Sequence, residues 1–141
     1  MAGWTSADVP DLSGMTVLVT GANSGIGYEA ARVFAKKGAQ VVLACRDRQR
    51  GDAAAARICA DTPGARVEVL PLDLAKLSFV REAAKRFGES HPRLDILCNN
   101  AGVMVIPRAL TEDGIEMQLG VNHFGHFALE GVIERCDERF L

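Results

Sequence analysis

The sequence predicts an α/β fold, a parallel sheet covered on both faces by crossover helices, and three observations predict it. Four short apolar runs alternate with helix-patterned segments along the 141 residues, as strands joined through helices do. The first two runs are apolar almost throughout, the pattern of strands buried on both faces. A glycine-rich turn joins the first run to the first helix, where folds of this class bring backbone close to a phosphate.

The elements follow in order. Met15 to Thr20 (MTVLVT) is the first strand, rich in β-branched residues. The helix after it, Gly25 to Lys37, sets Ile26, Ala30, Val33 and Phe34 at helical spacing and leaves Glu29, Arg32, Lys36 and Lys37 for solvent; Gly38 ends it. Gln40 to Cys45 (QVVLAC) is the second strand, and the Ala-rich stretch from Arg48 to Ala60 is the second helix, closed by Pro63 and Gly64. Arg66 to Leu70 (RVEVL) alternates in part, which suits a sheet edge. The third helix puts Leu77, Val80, Ala84 and Phe87 on one face, and Leu94 to Cys98 (LDILC) is the fourth strand. Beyond a loop with Pro107 and the polar turn Thr111 to Gly114, Ile115, Leu119, Phe124 and Ala128 begin a fourth helix. Neither a repeat nor a linker interrupts the series, so one domain, 1–141, is expected.

Composition narrows the function classes. With 48% hydrophobic and 24% charged residues the chain can bury a core, and 16 basic against 18 acidic side chains leave a net charge of −2. That balance favours neither nucleic acid nor an anionic membrane as partner. The N-terminus lacks a basic segment followed by an apolar one, and no apolar run nears the roughly 20 residues of a membrane span. No membrane span and a cytoplasmic location are expected. Cys45, Cys59, Cys98 and Cys136 are scattered, which reads as free thiols. His123 and His126 lie three apart without a supporting carboxylate or thiol pattern, so no metal site is expected and both are taken as packing or surface histidines.

The glycine-rich turn is Thr20-Gly21-Ala22-Asn23-Ser24-Gly25-Ile26-Gly27. Its glycines let the backbone turn toward a pyrophosphate, which then meets the free N–H groups of the helix N-terminus. Gly21, Asn23, Ser24, Gly25, Ile26 and Gly27 are therefore candidate cofactor-binding residues. It is not a P-loop, because Ile26 and Gly27 stand where Lys and Ser or Thr would be required. The second strand ends at Cys45 and is followed by Arg46, where a carboxylate would have hydrogen-bonded the ribose of NAD. A guanidinium there pairs with a 2′-phosphate, so NADP is favoured over NAD. The alternative is a solvated basic turn of Arg46 and Arg48 around Asp47.

TGANSGIG, LACRD, LDL at Asp73, NNAGV at Asn99 to Val103 and VNHFGHF at Val121 to Phe127 stand in order along the chain. Together they resemble the short-chain dehydrogenase/reductase family, most closely its branch of retinol dehydrogenases and WW domain-containing oxidoreductases, over about Gly14 to Leu129. The resemblance implies a Rossmann-type doubly wound sheet, of which this chain supplies the N-terminal half, ordered 3-2-1-4 out of 3-2-1-4-5-6-7. It implies that Asp73 and Leu74 hold the adenine, although Asp73 also suits a helix N-cap. Asn99 is implied to brace the fourth strand, and Asn100, Ala101 and Gly102 to line the ribose and nicotinamide side; a plain Asn-Gly turn is the alternative. Asn122 matches the family's catalytic asparagine, which anchors a water in the proton relay; a satisfied core amide or a back-bonded kink is the other reading.

The activity implied is hydride transfer between a nicotinamide and a small alcohol or carbonyl substrate, with a tyrosine, a lysine four residues on and a serine handling the proton. The only tyrosine is Tyr28, in the first helix, followed four residues later by Arg32. It is expected to face cofactor phosphates or solvent and to be structural. From Glu130 the segment EGVIERCDERFL leaves the family pattern, although Leu129, Val132, Ile133, Cys136 and Phe140 keep helical spacing. A truncated, inactive chain is the expectation, with a dead dinucleotide-binding module, or an interaction protein pairing through the exposed edge of LDILC, as alternatives. A homo-oligomer or a complementing chain is the partner class that edge suggests.

Overall fold

The computed structural model of the chain describes residues 3–136. Four strands, β1 (Thr16–Thr20), β2 (Gln40–Cys45), β3 (Arg66–Pro71) and β4 (Ile96–Cys98), form one parallel sheet in the order β3-β2-β1-β4. Helices α1 (Gly25–Lys36), α2 (Arg48–Asp61) and α3 (Leu77–Ser90) make the crossovers. This is the doubly wound order that the motifs imply, with β3 at one edge and β4 at the other. The N-terminal residues add a 3-10 turn, Ser6–Asp8, closed by a capping box between Thr5 and Asp8.

Successive residues of a strand point to opposite faces, and the core divides accordingly. Val17 and Val19 of β1 join Val41 and Leu43 of β2 beneath α1 and α2, which contribute Tyr28, Ala31, Ala35, Ala54 and Ile58. Leu18, Val42 and Ala44 face the other way, onto Val80, Ala83, Ala84 and Phe87 of α3 and Leu129 and Ile133 of the last helix. Registers such as Leu18 opposite Val42 on one side and Leu97 on the other hold these rows in line. Edge strand β3 alternates instead, exposing Arg66 and Glu68.

Three expectations need correction. In α1 the buried face is Gly27, Tyr28, Ala31 and Ala35, while Ile26 is 83% exposed. The inward face is set by Gly27, which packs against Asn100 and the Gly21 carbonyl, and this turns Ile26 outward. Tyr28 faces neither phosphate nor solvent: it is 5% exposed, with the Arg57 guanidinium 4.3 Å above its ring. The fourth helix runs unbroken but is not α throughout: it consists of α4 (Met117–Leu119), a π turn (Gly120–Phe124) and α5 (Gly125–Cys136). The π turn shifts the helical phase, so Leu119 and Phe124 are 49% and 39% exposed, while His126 and Leu129 turn inward. Phe140, which extends the apolar spacing of the tail, lies outside the described residues.

The 110–116 segment is pinned to the start of α3. Asp113 Oδ2 accepts from the Leu77 amide at 3.0 Å, and Glu112 pairs with Lys76 at 2.5 Å. No helix among the described residues is long and apolar enough to cross a membrane.

Candidate functional site at the carboxyl ends of the strands

The turns that follow β1, β2, β3 and β4 meet in an open cleft of about 320 Å³. Gly21, Asn23 and Ser24 come from the first turn, Arg46 from the second, Asp73 and Leu74 from the third, and Asn100, Ala101 and Gly102 from the fourth. Gly25, Ile26 and Gly27, also singled out in the sequence, are not in the cleft wall. Gly25 starts α1 with a left-handed backbone (φ 58°), and Gly27 is buried under Asn100.

The glycines are needed for close packing of the first turn on the fourth. A Cβ on Gly21 would lie 2.9 Å from Ala101 Cα, and φ 66° at Gly21 would strain any other residue. Ser24 is the N-cap of α1 but its side chain makes no capping bond. The first-turn amides of this 12-residue helix lack partners within the helix, and its N-cap Ser24 lines the cleft.

Arg46 is exposed on the cleft and takes part in no ion pair among the described residues, whereas Arg48 pairs with Asp52 at 3.6 Å. Asp47 is committed to capping α2, its carboxylate accepting from the Arg50 amide at 3.0 Å. The two arginines therefore differ in environment, and Arg46 alone of them lines the cleft. Asp73 is not the N-cap of α3, a position held by Lys76; its Oδ1 accepts from the Ala75 amide at 3.0 Å.

Asn99 and its neighbour both tie the end of β4 to other elements. Asn100 Nδ2 donates to the Thr20 carbonyl at 2.9 Å, tying the fourth turn to the end of β1, while Asn99 bonds to Glu130. Asn122 clamps the same turn from the π turn: Oδ1 accepts from the Val103 amide and Nδ2 donates to the Val103 carbonyl, each at 2.8 Å. Both polar atoms of the amide meet backbone partners, but Asn122 is exposed, so it is not the core amide of the alternative reading. His126 is buried with Nε2 2.9 Å from Thr20 Oγ1, and His123 lies against the rings of Phe124 and Phe127.

Thr20 was not singled out, yet its fully buried hydroxyl receives the Asn100 and Ala101 amides, each at 2.9 Å. A polar residue closing an otherwise apolar strand was the available signal. Cys45, Val103 and Val121 also line the cleft; they are small or apolar, and only tertiary packing brings them there. Burial, helped by Asp47 and Asp52, pushes the Cys45 thiol up to about 11, and burial raises Cys98 as well. Both thiols stay protonated near neutrality, and of the two only Cys45 lines the cleft. Burial lowers His126 from its ordinary value, against the opposing pull of the Asn122 carbonyl and Glu130.

The sequence model of the family described as short chain dehydrogenase matches residues 15–135, beyond Leu129, the last residue of the motif resemblance. Human retinol dehydrogenase 13 is 49% identical over 122 residues, 86% of this chain and 37% of that protein. The WW domain-containing oxidoreductase of Danio rerio is 49% identical over 124 residues, 88% of this chain and 30% of that protein. Among solved structures, a protein of Mycobacterium paratuberculosis superposes with a TM-score of 0.81 at 48% identity, over 94% of this chain and 46% of that one. A short-chain dehydrogenase from Sphingobium yanoikuyae in complex with NADPH gives 0.71 at 36% identity, over 86% and 47%. The chain spans about two fifths of the length of retinol dehydrogenase relatives that it matches.

Proposed function

The chain belongs to the short-chain dehydrogenase family, and from that premise we propose that its cleft holds a nicotinamide dinucleotide, NADP in preference to NAD. The observation that carries the proposal is the convergence of four strand-end turns on one cleft, with a helix N-terminus on one side and, on another, the guanidinium of Arg46, which forms no ion pair among the described residues. The α1 amides and Gly21, Asn23 and Ser24 suit the pyrophosphate, with Gly25, Ile26 and Gly27 building the turn. Arg46 suits a 2′-phosphate, since a guanidinium offers it two parallel hydrogen bonds. Asp73 and Leu74 take the adenine end, and Asn100, Ala101 and Gly102 the ribose and nicotinamide side.

When bound, the nicotinamide supplies hydride chemistry toward an alcohol or carbonyl carbon. Asn122 holds the Asn100–Val103 wall in place, and Oδ1 keeps a second lone pair, the one a relay water would use. These 141 residues bind without turnover in this reading. Tyr28, their only tyrosine, is sealed in the core beneath Arg57, and among the described residues no serine and tyrosine-lysine set faces the cleft.

The test is the affinity of the purified chain for NADPH and NADH, before and after Arg46→Asp. Hydrogen bonds to charged groups are worth about 1.5–3 kcal/mol, so NADPH is expected to weaken roughly 10- to 100-fold while NADH changes little. Equal weakening of both removes Arg46 from the 2′-phosphate role, and no binding of either by the unaltered chain overturns the reading.

A second reading rests on edge strand β4, beside which a cleft of about 180 Å³ is lined by Leu94, Leu97 and Ile133 together with the carboxylates of Asp95, Glu130 and Glu134. Such an edge templates pairing with another chain. A concentration-independent monomer in sedimentation velocity excludes pairing between copies.

A further inference from the structure

The hydrogen bonds around the Thr20 hydroxyl admit one assignment of protons at His126. The Asn122 carbonyl, 3.2 Å from His126 Nδ1, only accepts, so Nδ1 carries the ring proton. In the neutral ring Nε2 is then an acceptor, and the Thr20 O–H, 2.9 Å away, is its donor. The two remaining lone pairs of Thr20 Oγ1 take the amides of Asn100 and Ala101. Every valence of the hydroxyl is filled, in a site where Thr20 is 0% and His126 5% exposed.

We propose that His126 is a positioning residue of the dinucleotide cleft: as a neutral imidazole it holds the Thr20 hydroxyl so that Asn100 and Ala101 are fixed in the cleft wall, and protonation at Nε2 loosens them. The proposal rests on the dinucleotide reading of the cleft. A proton on Nε2 turns that nitrogen into a third donor aimed at an oxygen with two lone pairs. The Thr20 hydrogen has one other acceptor, the Cys98 carbonyl at 3.3 Å, so Thr20 rotates toward it and one of the two amide bonds yields to the imidazolium.

The groups that face the ring are accounted for by element. β1 brings the Thr20 hydroxyl and β4 the Cys98 carbonyl, both uncharged. Helix α3 packs on α5 through the apolar residues Val80, Ala83, Ala84 and Phe87. On the histidine's own helix the Asn122 and Val121 carbonyls and the Glu130 carboxylate favour the proton, and burial opposes it and prevails.

Two measurements on the whole chain decide the matter. Nitrogen-15 spectra of the imidazole at pH 8 are expected to show Nδ1 protonated and Nε2 bare. On acidification the amide protons of Asn100 and Ala101 are expected to shift with the His126 titration, with the Val103 amide, held by Asn122, moving less. A ring protonated at Nε2 at pH 8, or amides indifferent to the ring, overturns the coupling whether or not a dinucleotide binds. Separately, NADPH affinity is measured from pH 8 to 5.5 for the chain, for His126→Gln, which keeps an acceptor near the Nε2 position, and for Thr20→Val. Loss of one neutral hydrogen bond corresponds to a roughly 2- to 10-fold weakening, expected for the unaltered chain relative to His126→Gln as pH falls. Titration of the 2′-phosphate is common to both proteins and cancels in their ratio. Parallel profiles overturn the positioning role, and Thr20→Val is expected to be weaker and to lose the His126-dependent slope. If no dinucleotide binds at any pH, the functional reading fails, while the spectra still decide the His126–Thr20 coupling.

Discussion

Ala is favoured over Gly by about 1 kcal/mol inside a helix, yet a Cβ at Gly27 would lie 2.4 Å from Asn100 Nδ2 and 2.6 Å from the Gly21 carbonyl. Steric overlap with backbone outweighs the propensity gain. Gly27→Ala is therefore expected to lose about 1–3 kcal/mol in urea unfolding and to weaken NADPH binding by displacing Asn100. Cys45 carries a second prediction at this scale. Its thiol is held at about 11 when folded, against 9.0 ordinarily. A raised value favours the neutral thiol of the folded state, so this contribution is complete below about pH 9 and is lost as pH rises toward 11. One unit corresponds to about 1.4 kcal/mol, so roughly 2–3 kcal/mol is expected to disappear across that interval. The stability gap between the chain and Cys45→Ala, followed by denaturant titration, is expected to narrow accordingly; a constant gap refutes it. The residue types at Gly21, Arg46, Asp73 and Asn100 were legible as motif, because backbone approach and charge demand them locally. Thr20, His126 and the contacts of Asn122 were not, because their partners lie 19 to 106 residues away.

Among the elements, α3 shows how far local signals reach. Its first amide is capped by Asp113 from a distant loop, since its N-cap residue Lys76 makes no side-chain capping bond. Asp113→Ala is expected to lower stability by about 1 kcal/mol in thermal unfolding, and to increase amide exchange across 110–116. An unchanged melting temperature removes the cap. The strands and the first two helices were legible to within one residue, apart from the two residues by which β4 is shorter than LDILC. Period and apolar content decide those elements. The fourth helix was misread because a π turn arises from packing: Gly125 sits where a Cβ would be 2.5 Å from the Leu74 carbonyl, and no periodicity encodes that approach.

For the whole molecule, ligand linkage offers the most direct check. NADPH at 100 times its dissociation constant is expected to stabilise the folded chain by about 2.7 kcal/mol and to raise its melting temperature by several degrees. No oxidation of a secondary alcohol is expected from the same 141 residues; turnover abolished by Asn122→Ala would show that another group supplies the proton. The sequence by itself determined the parallel α/β class, the order of the elements and the glycine turn, because strand burial and phosphate approach leave their mark on neighbouring residues. It also determined that the one tyrosine precedes Arg32 instead of a lysine. Only the tertiary structure decided which way α1 faces, that Tyr28 lies under Arg57 in the core, that Arg48 forms an ion pair while Arg46 forms none among the described residues, and that His126, Thr20 and Asn100 form one network. Those outcomes depend on which distant side chains fill each other's valences and volumes, a property of the packed chain that no local stretch of sequence contains.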